Sequence, residues 1–293
     1  MKRATAFSRL FDGLNMTVLA VLGILTIIPF IWIVAGSFTA SEELLRKQIV
    51  FFPEQWSLDG YRYVFSASTI LRSLLVTIGV TVCGTLLNLL FTVTTAYPLA
   101  RRDLDGRRPV MFLIVFTMLF SGGMIPTFLI VKAFGLINSP LSLVVPGLIS
   151  AFNLVVIKNF FQQLPEGLEE AAKIDGCHDI MVLFRIVLPL SLPALATFSL
   201  FYAVGHWNSY FQAVLYINDS HWWPIQVWLR QIVILSQGSG IGDSSQLDAE
   251  FAIPPAPVLK MTVIVISTVP ILLVYPFLQK HFAKGVLLGS VKG

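Results

Sequence analysis

The sequence predicts an all-α membrane protein, a bundle of six transmembrane helices, and three observations carry that prediction. Of 293 residues, 56% are apolar and only 12% are charged, against about 25% charged in a soluble domain; mean hydropathy is +0.79. The apolar residues gather in runs of about 20, the helix length that crosses a hydrocarbon core of roughly 30 Å. The sequence lacks the alternating apolar–polar segments of an outer-membrane barrel, which leaves the helix as the element able to satisfy its own backbone in lipid.

The first run covers 14–36, after Lys2, Arg3 and Arg9. A cleaved signal peptide would have an apolar region of roughly 7–15 residues, and this run is longer, so it reads as a span. A mixed polar loop leads to the second run, 70–100, where Gly79, Gly84, Asn88 and Pro98 suit close packing against neighbouring helices. The basic stretch RRDLDGRR at 101–108 turns at Asp105-Gly106. A third run, 109–131, is interrupted by Ser121-Gly122-Gly123 and Pro126, and a fourth covers 141–161. After a charged segment at 162–189 come a fifth run, 190–214, a long loop at 216–257, and a sixth run, 258–278. No repeat or soluble appendage is evident, so 1–293 reads as one membrane domain.

Six spans place both termini on one side. The side holding the termini, 101–108 and 162–189 carries, with Lys158 at the end of the fourth run, thirteen of the twenty Lys and Arg. By the positive-inside rule that side is cytoplasmic, and the loop at 216–257 faces outward. Cys83 and Cys177 suggest neither a disulfide framework nor a metal site. His178, His206, His221 and His281 are scattered along the chain, so no metal cluster or nucleophile–base set is expected. No basic patch interleaved with aromatics lies outside the runs, which argues against nucleic acid; membrane lipid is the expected surrounding.

The segment LPEGLEEAAKIDGCHDIMVLFRIVLPLSLP at 164–193 holds five of the sixteen acidic residues. Pro165 suits a helix's first turn, and Glu166, Glu169 and Glu170 suit the positive end of its dipole. Leu168, Ala171 and Ala172 fall on one face, with the two alanines small enough to let another protein approach. Glu169 and Lys173 can pair at i, i+4. Gly176 can stop the helix by taking positive φ. A second amphipathic turn places Met181, Phe184 and Leu188 on one stripe, and Pro189 and Pro193 lead back to the membrane. Two readings are open on these grounds, a docking helix for a partner and an interfacial connector between two spans.

Glu170-Ala171-Ala172, then three residues, Gly176, nine residues and Ile186-Val187-Leu188-Pro189 resemble, without departure, the EAA loop of binding-protein-dependent ABC importers. The resemblance extends along the chain to carbohydrate-uptake permeases of the maltose-importer second-subunit type. Pro29-Phe30-Ile31-Trp32, Phe52-Pro53, Trp56, Tyr61, Trp207-Asn208 and the ending Gly289-Ser290-Val291-Lys292-Gly293 carry it. The family's usual tail has Ala where this chain has Ser290. The resemblance implies a multi-pass subunit of a bacterial inner membrane that forms half of a pore. Its partners would be a second homologous permease, a homodimeric ATPase and an extracytoplasmic solute-binding protein. It implies that Glu169, Glu170, Ala171, Ala172, Asp175, Gly176, Ile186, Leu188 and Pro189 form a coupling helix and its exit, with Lys292 and Gly293 as a second contact to the ATPase. The saccharide implied is of the oligo- or polysaccharide branch, such as alginate.

The chain contains no G-x-x-x-x-G-K-[ST] sequence, so it is expected to bind no cofactor and to be no enzyme; ATP and Mg would sit on the partner ATPase. Gly238, Gly240 and Gly242 lie in a glycine-rich run of the outward loop. The run lacks the P-loop lysine, and in the family the loop contacts the binding protein. An ion-coupled secondary transporter would use a titratable group such as His206, and a non-transport scaffold is the other alternative. Saccharide contacts call for rings that stack and amides that hydrogen-bond. Asn88, Tyr97, Asn153, Tyr202, Trp207, Asn208 and Tyr210 qualify, and helix–helix packing competes for each of them.

Overall fold

A computed structural model describes residues 6–47, 49–235 and 257–290. In chain order the helices are α1 (Ala6–Ser37), α2 (Ser41–Arg46), α3 (Asp59–Ser66), α4 (Ser68–Ala100), α5 (Arg107–Leu119), α6 (Met124–Ala133) and α7 (Ala151–Phe161). There follow α8 (Glu166–Ile174), α9 (Asp179–Val182), α10 (Leu188–Leu190), α11 (Leu192–Trp207), α12 (Phe211–Tyr216), α13 (Ile225–Leu235) and α14 (Pro257–Ser290). A π turn, Leu183–Val187, joins α9 to α10. Among the described residues the β pairing is limited to an isolated bridge between Thr39 and Trp56.

Three segments, Leu10–Ser37, Ser68–Ala100 and Pro257–Val274, are single helices long and apolar enough to cross a membrane. Three more runs are bent pairs, which brings the number to six when each pair is one span. The pair α5–α6 bends by 117° where the sequence places its Ser-Gly-Gly break; Gly123 takes φ 84° there, and its N–H is accepted by Ser121 Oγ at 3.2 Å. Pro140–Gly147 and α7 meet at 52°, and Asp179–Leu190 and α11 at 86°. This last bend falls at Ser191, between Pro189 and Pro193, neither of which has an N–H to continue a helical ladder. The fifth run, read from sequence as 190–214, is therefore continuous helix only over Leu192–Trp207. Asn208 ends it, its side-chain amide donating back to Val204 O at 2.9 Å, a local bond that competes with helix propagation.

The chain divides into two compact units, Met1–Ser68 with Leu229–Thr268, and Thr69–Trp228 with Val269–Gly293. In the first, Leu44, Val50, Val258 and Met261 form a small core with Trp32 and Ile33 packed on it. The segment after α1 is tied down by polar groups. Ser37 Oγ and Tyr61 OH are 2.8 Å apart, and Phe38 stacks on Tyr61 at 4.9 Å. The buried Glu43 carboxylate accepts from the backbone N–H groups of Glu54 and Gln55. Those donors, Gln55 first, hold its pKa below the usual carboxylate value.

In the second unit α4 is the post. Its buried residues Ile70, Ser73, Thr77, Val80, Gly84, Asn88 and Thr92 recur every three or four positions and form one stripe. Around its first half Val80 packs with Val131, Leu143, Val144, Ala213, Tyr216, Ile217 and Val227, contributed by α6, the 140–144 turn, α12 and α13. Around its second half Val93, Ala96, Tyr97 and Leu99 pack with Leu154, Ile157 and Phe161 of α7, Ala172 of α8, Val182, Leu183, Val187 and Phe198. The stripe between these cores is polar, which sets up the site.

Candidate functional site

The EAA segment folds as a helix, α8, ended by Gly176 at φ 82°. Cys177 N–H donates to Ala172 O at 2.9 Å and Gly176 N–H to Lys173 O at 3.0 Å. This 6→1 and 5→2 pair is a Schellman motif, which requires a residue at ease in the left-handed region at Gly176. His178 then caps α9 by accepting from Met181 N–H at 3.3 Å.

The two alanines face opposite ways. Ala172 is 6% exposed and belongs to the core around the end of α4, whereas Ala171 and Glu170 are exposed. The sequence expectation of both alanines on an open face is corrected here: one anchors α8 and one is presented. Leu164, Cys177, Ile186 and Leu188 pack against the same core. Asp175, Gly176 and Pro189 lie outward and Glu169 is half-buried. Leu168, Ile174, Ile180 and Phe184 are apolar and exposed, Ile174 by 86%.

A charge cluster around Arg101, which the sequence counted only toward topology, fixes this segment to the end of α4. Arg101 donates to Asp103 from Nε at 2.9 Å and from Nη2, and from Nη1 to Asp179. Lys173 reaches the same Asp179 oxygen at 3.2 Å, so its partner is Asp179 and the expected i, i+4 pair with Glu169 does not form. Gln162 Nε2 donates to Ala100 O at 3.0 Å. Between them lies a cleft of about 300 Å³ lined by Arg101, Asp103, Gln162, Glu169, Glu170 and Lys173 among others.

The Asp103 carboxyl is held at about 2, chiefly by the Arg101 hydrogen bonds, and Arg101 is raised above its ordinary value by Asp103. A depressed carboxylate pKa stabilises the fold fully above its ordinary 3.8, and the effect is lost as pH falls through about 2. Amide hydrogen exchange at 101–106 should therefore rise within that window, whereas Arg101→Gln should show faster exchange already at neutral pH and no step there.

The second constellation lies on the α4 stripe. Asn88 Nδ2 donates to Gly147 O at 2.6 Å and Leu148 O at 2.9 Å, and Asn88 Oδ1 is 2.5 Å from His206 Nε2. With both amide hydrogens committed to carbonyls, Oδ1 is the acceptor and Nε2 carries the ring proton. Gly84, one turn earlier, lies directly under the imidazole; a Cβ there would be 2.6–2.9 Å from three ring atoms. Thr92 Oγ1 and Tyr202 OH are 2.9 Å apart, and Tyr202 OH accepts from Ser150 N–H at 3.3 Å.

Of the predicted pathway residues, Asn88 and Tyr202 are thus brought together as a brace between α4, α11 and the 147–150 turn. Asn153 is buried on α7, where its N–H is capped by Ser150 Oγ at 3.4 Å. Tyr97 is buried in the core near α8. Trp207 is buried, Asn208 exposed and Tyr210 half-buried at the end of α11. Thr92, His206 and Arg101 carry roles the sequence reading did not assign, whereas Gly84 has the close helix packing read for it. Gly238, Gly240, Gly242, Lys292 and Gly293 lie outside the described residues. Among the described residues no group of three or more His, Cys, Asp or Glu is placed to hold a metal ion.

An all-helical bundle of whole and bent spans, with a charged helix anchored to its core, is the architecture of a membrane transport permease. The chain belongs to the family of binding-protein-dependent transport system inner membrane components, matched over residues 84–288. It is 57% identical to the polygalacturonan/rhamnogalacturonan transport system permease protein YtcP of Bacillus subtilis (strain 168), over 98% of this chain and 99% of that one. With protein LplC of the same organism the identity is 55%, over 99% and 97%. Its fold matches the crystal structure of a bacterial ABC transporter involved in the import of the acidic polysaccharide alginate. The TM-score is 0.87 at 29% identity, covering 96% of this chain and 100% of that one. The family resemblance and the all-α permease bundle expected from sequence are both borne out.

Proposed function

We propose that this permease forms half of a pathway for an acidic saccharide, a fragment of a uronate polymer, and is driven by a separate homodimeric ATPase. The observation that supports the substrate class is the end-to-end 57% identity with a permease named for polygalacturonan and rhamnogalacturonan. The 29% identity with the alginate importer makes alginate itself the weaker candidate within the same acidic class.

In this reading both termini and α8 are cytoplasmic, and a second permease completes the pore. ATP and Mg are held by the ATPase, and an extracytoplasmic binding protein delivers cargo to the outward loop around Gly238, Gly240 and Gly242. The exposed face of α8, with Glu170, Ala171 and Ile174, would sit in the ATPase, joined by Lys292 and Gly293. Ala172 supports a lever, because it ties α8 to the core shared by α4, α7 and the 182–187 turn, and packed interiors transmit displacement. Ion-coupled transport gains nothing from His206, whose Nε2 proton is engaged by Asn88.

The test is reconstitution of the complete importer in proteoliposomes. Binding protein loaded with oligogalacturonate should stimulate ATP hydrolysis and internal accumulation of the labelled saccharide. Stimulation by neutral oligosaccharides, with no response to oligogalacturonate or alginate oligomers, would reject the acidic class.

A further inference from the structure

A second cleft, distinct from that beside α8, opens between the start of α5 and α7, with a volume of about 980 Å³. Arg102, Arg107, Arg108 and Lys158 line one part of it, and Asp105 is the acid among its lining residues. Lys158 is only 8% exposed, and among the described residues no carboxylate forms an ion pair with it. A largely buried lysine whose ammonium lines a cleft without a counter-charge is costly, and an anion entering the cleft would offset that cost.

The helix end adds to the same field. Arg107 and Arg108 stand in the first turn of α5, which has no acidic residue and no side-chain cap. Cations are disfavoured at that end, where the free N–H groups already attract negative charge. Beyond these cations the wall becomes apolar, with Met111, Phe112 and Val115 spaced along α5. Phe112 is 67% exposed, and α5 has no buried residue at all.

We propose that this cleft binds an anionic phospholipid, its phosphate held by Arg107, Arg108 and Lys158 and an acyl chain laid along Met111, Phe112 and Val115. A soluble anion would satisfy the cations and leave the apolar wall unused. A lipid matches both parts, and the cleft opens at the start of α5, the first helix of a bent pair that together is long and apolar enough to cross a membrane.

The purified importer, containing the full chain and its partner subunits, can be exchanged into nanodiscs of mixed phosphatidylcholine and phosphatidylglycerol. Lipid retained after detergent extraction is then counted by mass spectrometry. Wild type should retain phosphatidylglycerol over phosphatidylcholine. Arg108→Gln, at an exposed position, and Lys158→Met should each lower that retention roughly fivefold, about 1 kcal/mol per cation. Lys158→Arg should preserve it, and excess inorganic phosphate should leave the lipid in place. Equal retention by wild type and Arg108→Gln overturns the proposal, as does displacement by inorganic phosphate, which would mark a soluble-anion site. A photocrosslinker at position 112 that joins the second permease in place of lipid overturns it too.

Discussion

Replacing Gly176 by valine is expected to cut uptake by roughly tenfold or more while leaving the spans folded. A Cβ at this position would meet nothing within 4 Å, so the effect cannot come from a clash. It comes from φ 82°, where an ordinary L-residue loses about 1–2 kcal/mol and a β-branched one more. The relief available is to unwind the last turn of α8, which breaks the bonds from Cys177 to Ala172 and from Gly176 to Lys173. Lys173 would then leave Asp179, and α8 would no longer sit at a fixed angle to Arg101 and α4. Transport should fall by roughly tenfold or more, the factor that 1.4 kcal/mol represents, and recovery of the ATPase in a pull-down should fall with it. Gly176→Asn is the control, since asparagine tolerates the left-handed region; it should keep most of the uptake. Equal uptake by the valine and asparagine variants would remove the backbone argument, and wild-type uptake by both would remove the coupling role of this turn.

The same turn illustrates what the sequence could convey. Helix existence, the six apolar runs and the stop at Gly176 were legible because each is local: a span needs its run of apolar residues, and a left-handed cap needs glycine. The break of the third run was legible for the same reason, since Ser121-Gly122-Gly123 cannot pass for helix interior. The 86° bend at Ser191 was not, because apolar residues continue on both sides and hydropathy does not register direction. Nor did the pattern distinguish Ala171 from Ala172, two identical side chains whose facing depends on where Leu154, Ile157 and Phe161 of α7 lie. Arg101 was read as one more inward-side charge; its role depends on Asp179, which is 78 residues away. Polar residues within spans gave the least guidance. Their chemistry suits a saccharide and a neighbouring helix equally, and the partner that decides between the two lies far along the chain.

Asn88 is where that choice has the largest measurable consequence. Replacing it by leucine would leave Gly147 O, Leu148 O and His206 Nε2–H without their partners. An unsatisfied buried polar group costs about 1–3 kcal/mol. Interhelical hydrogen bonds in bilayers are worth about 0.6 kcal/mol on average and up to about 1.7, because a membrane-embedded unfolded state finds other partners. Three bonds lost together therefore place the expected destabilisation at roughly 2–5 kcal/mol. Gly84→Val should be at least as damaging, since the imidazole that its Cβ would strike is already pinned by Asn88. The measurement is the midpoint of detergent-induced unfolding of the purified permease, followed by loss of helicity. Asn88→Leu and His206→Leu should couple in a double-mutant cycle, the second change costing much less once the first is made. If Asn88→Leu unfolds at the wild-type midpoint but transports nothing, the amide serves the cargo and the brace reading is wrong. If stability and uptake fall together and Asn88→Gln restores part of both, Asn88 holds α4 to α11, and the saccharide must be sought on residues that line the pathway without such partners.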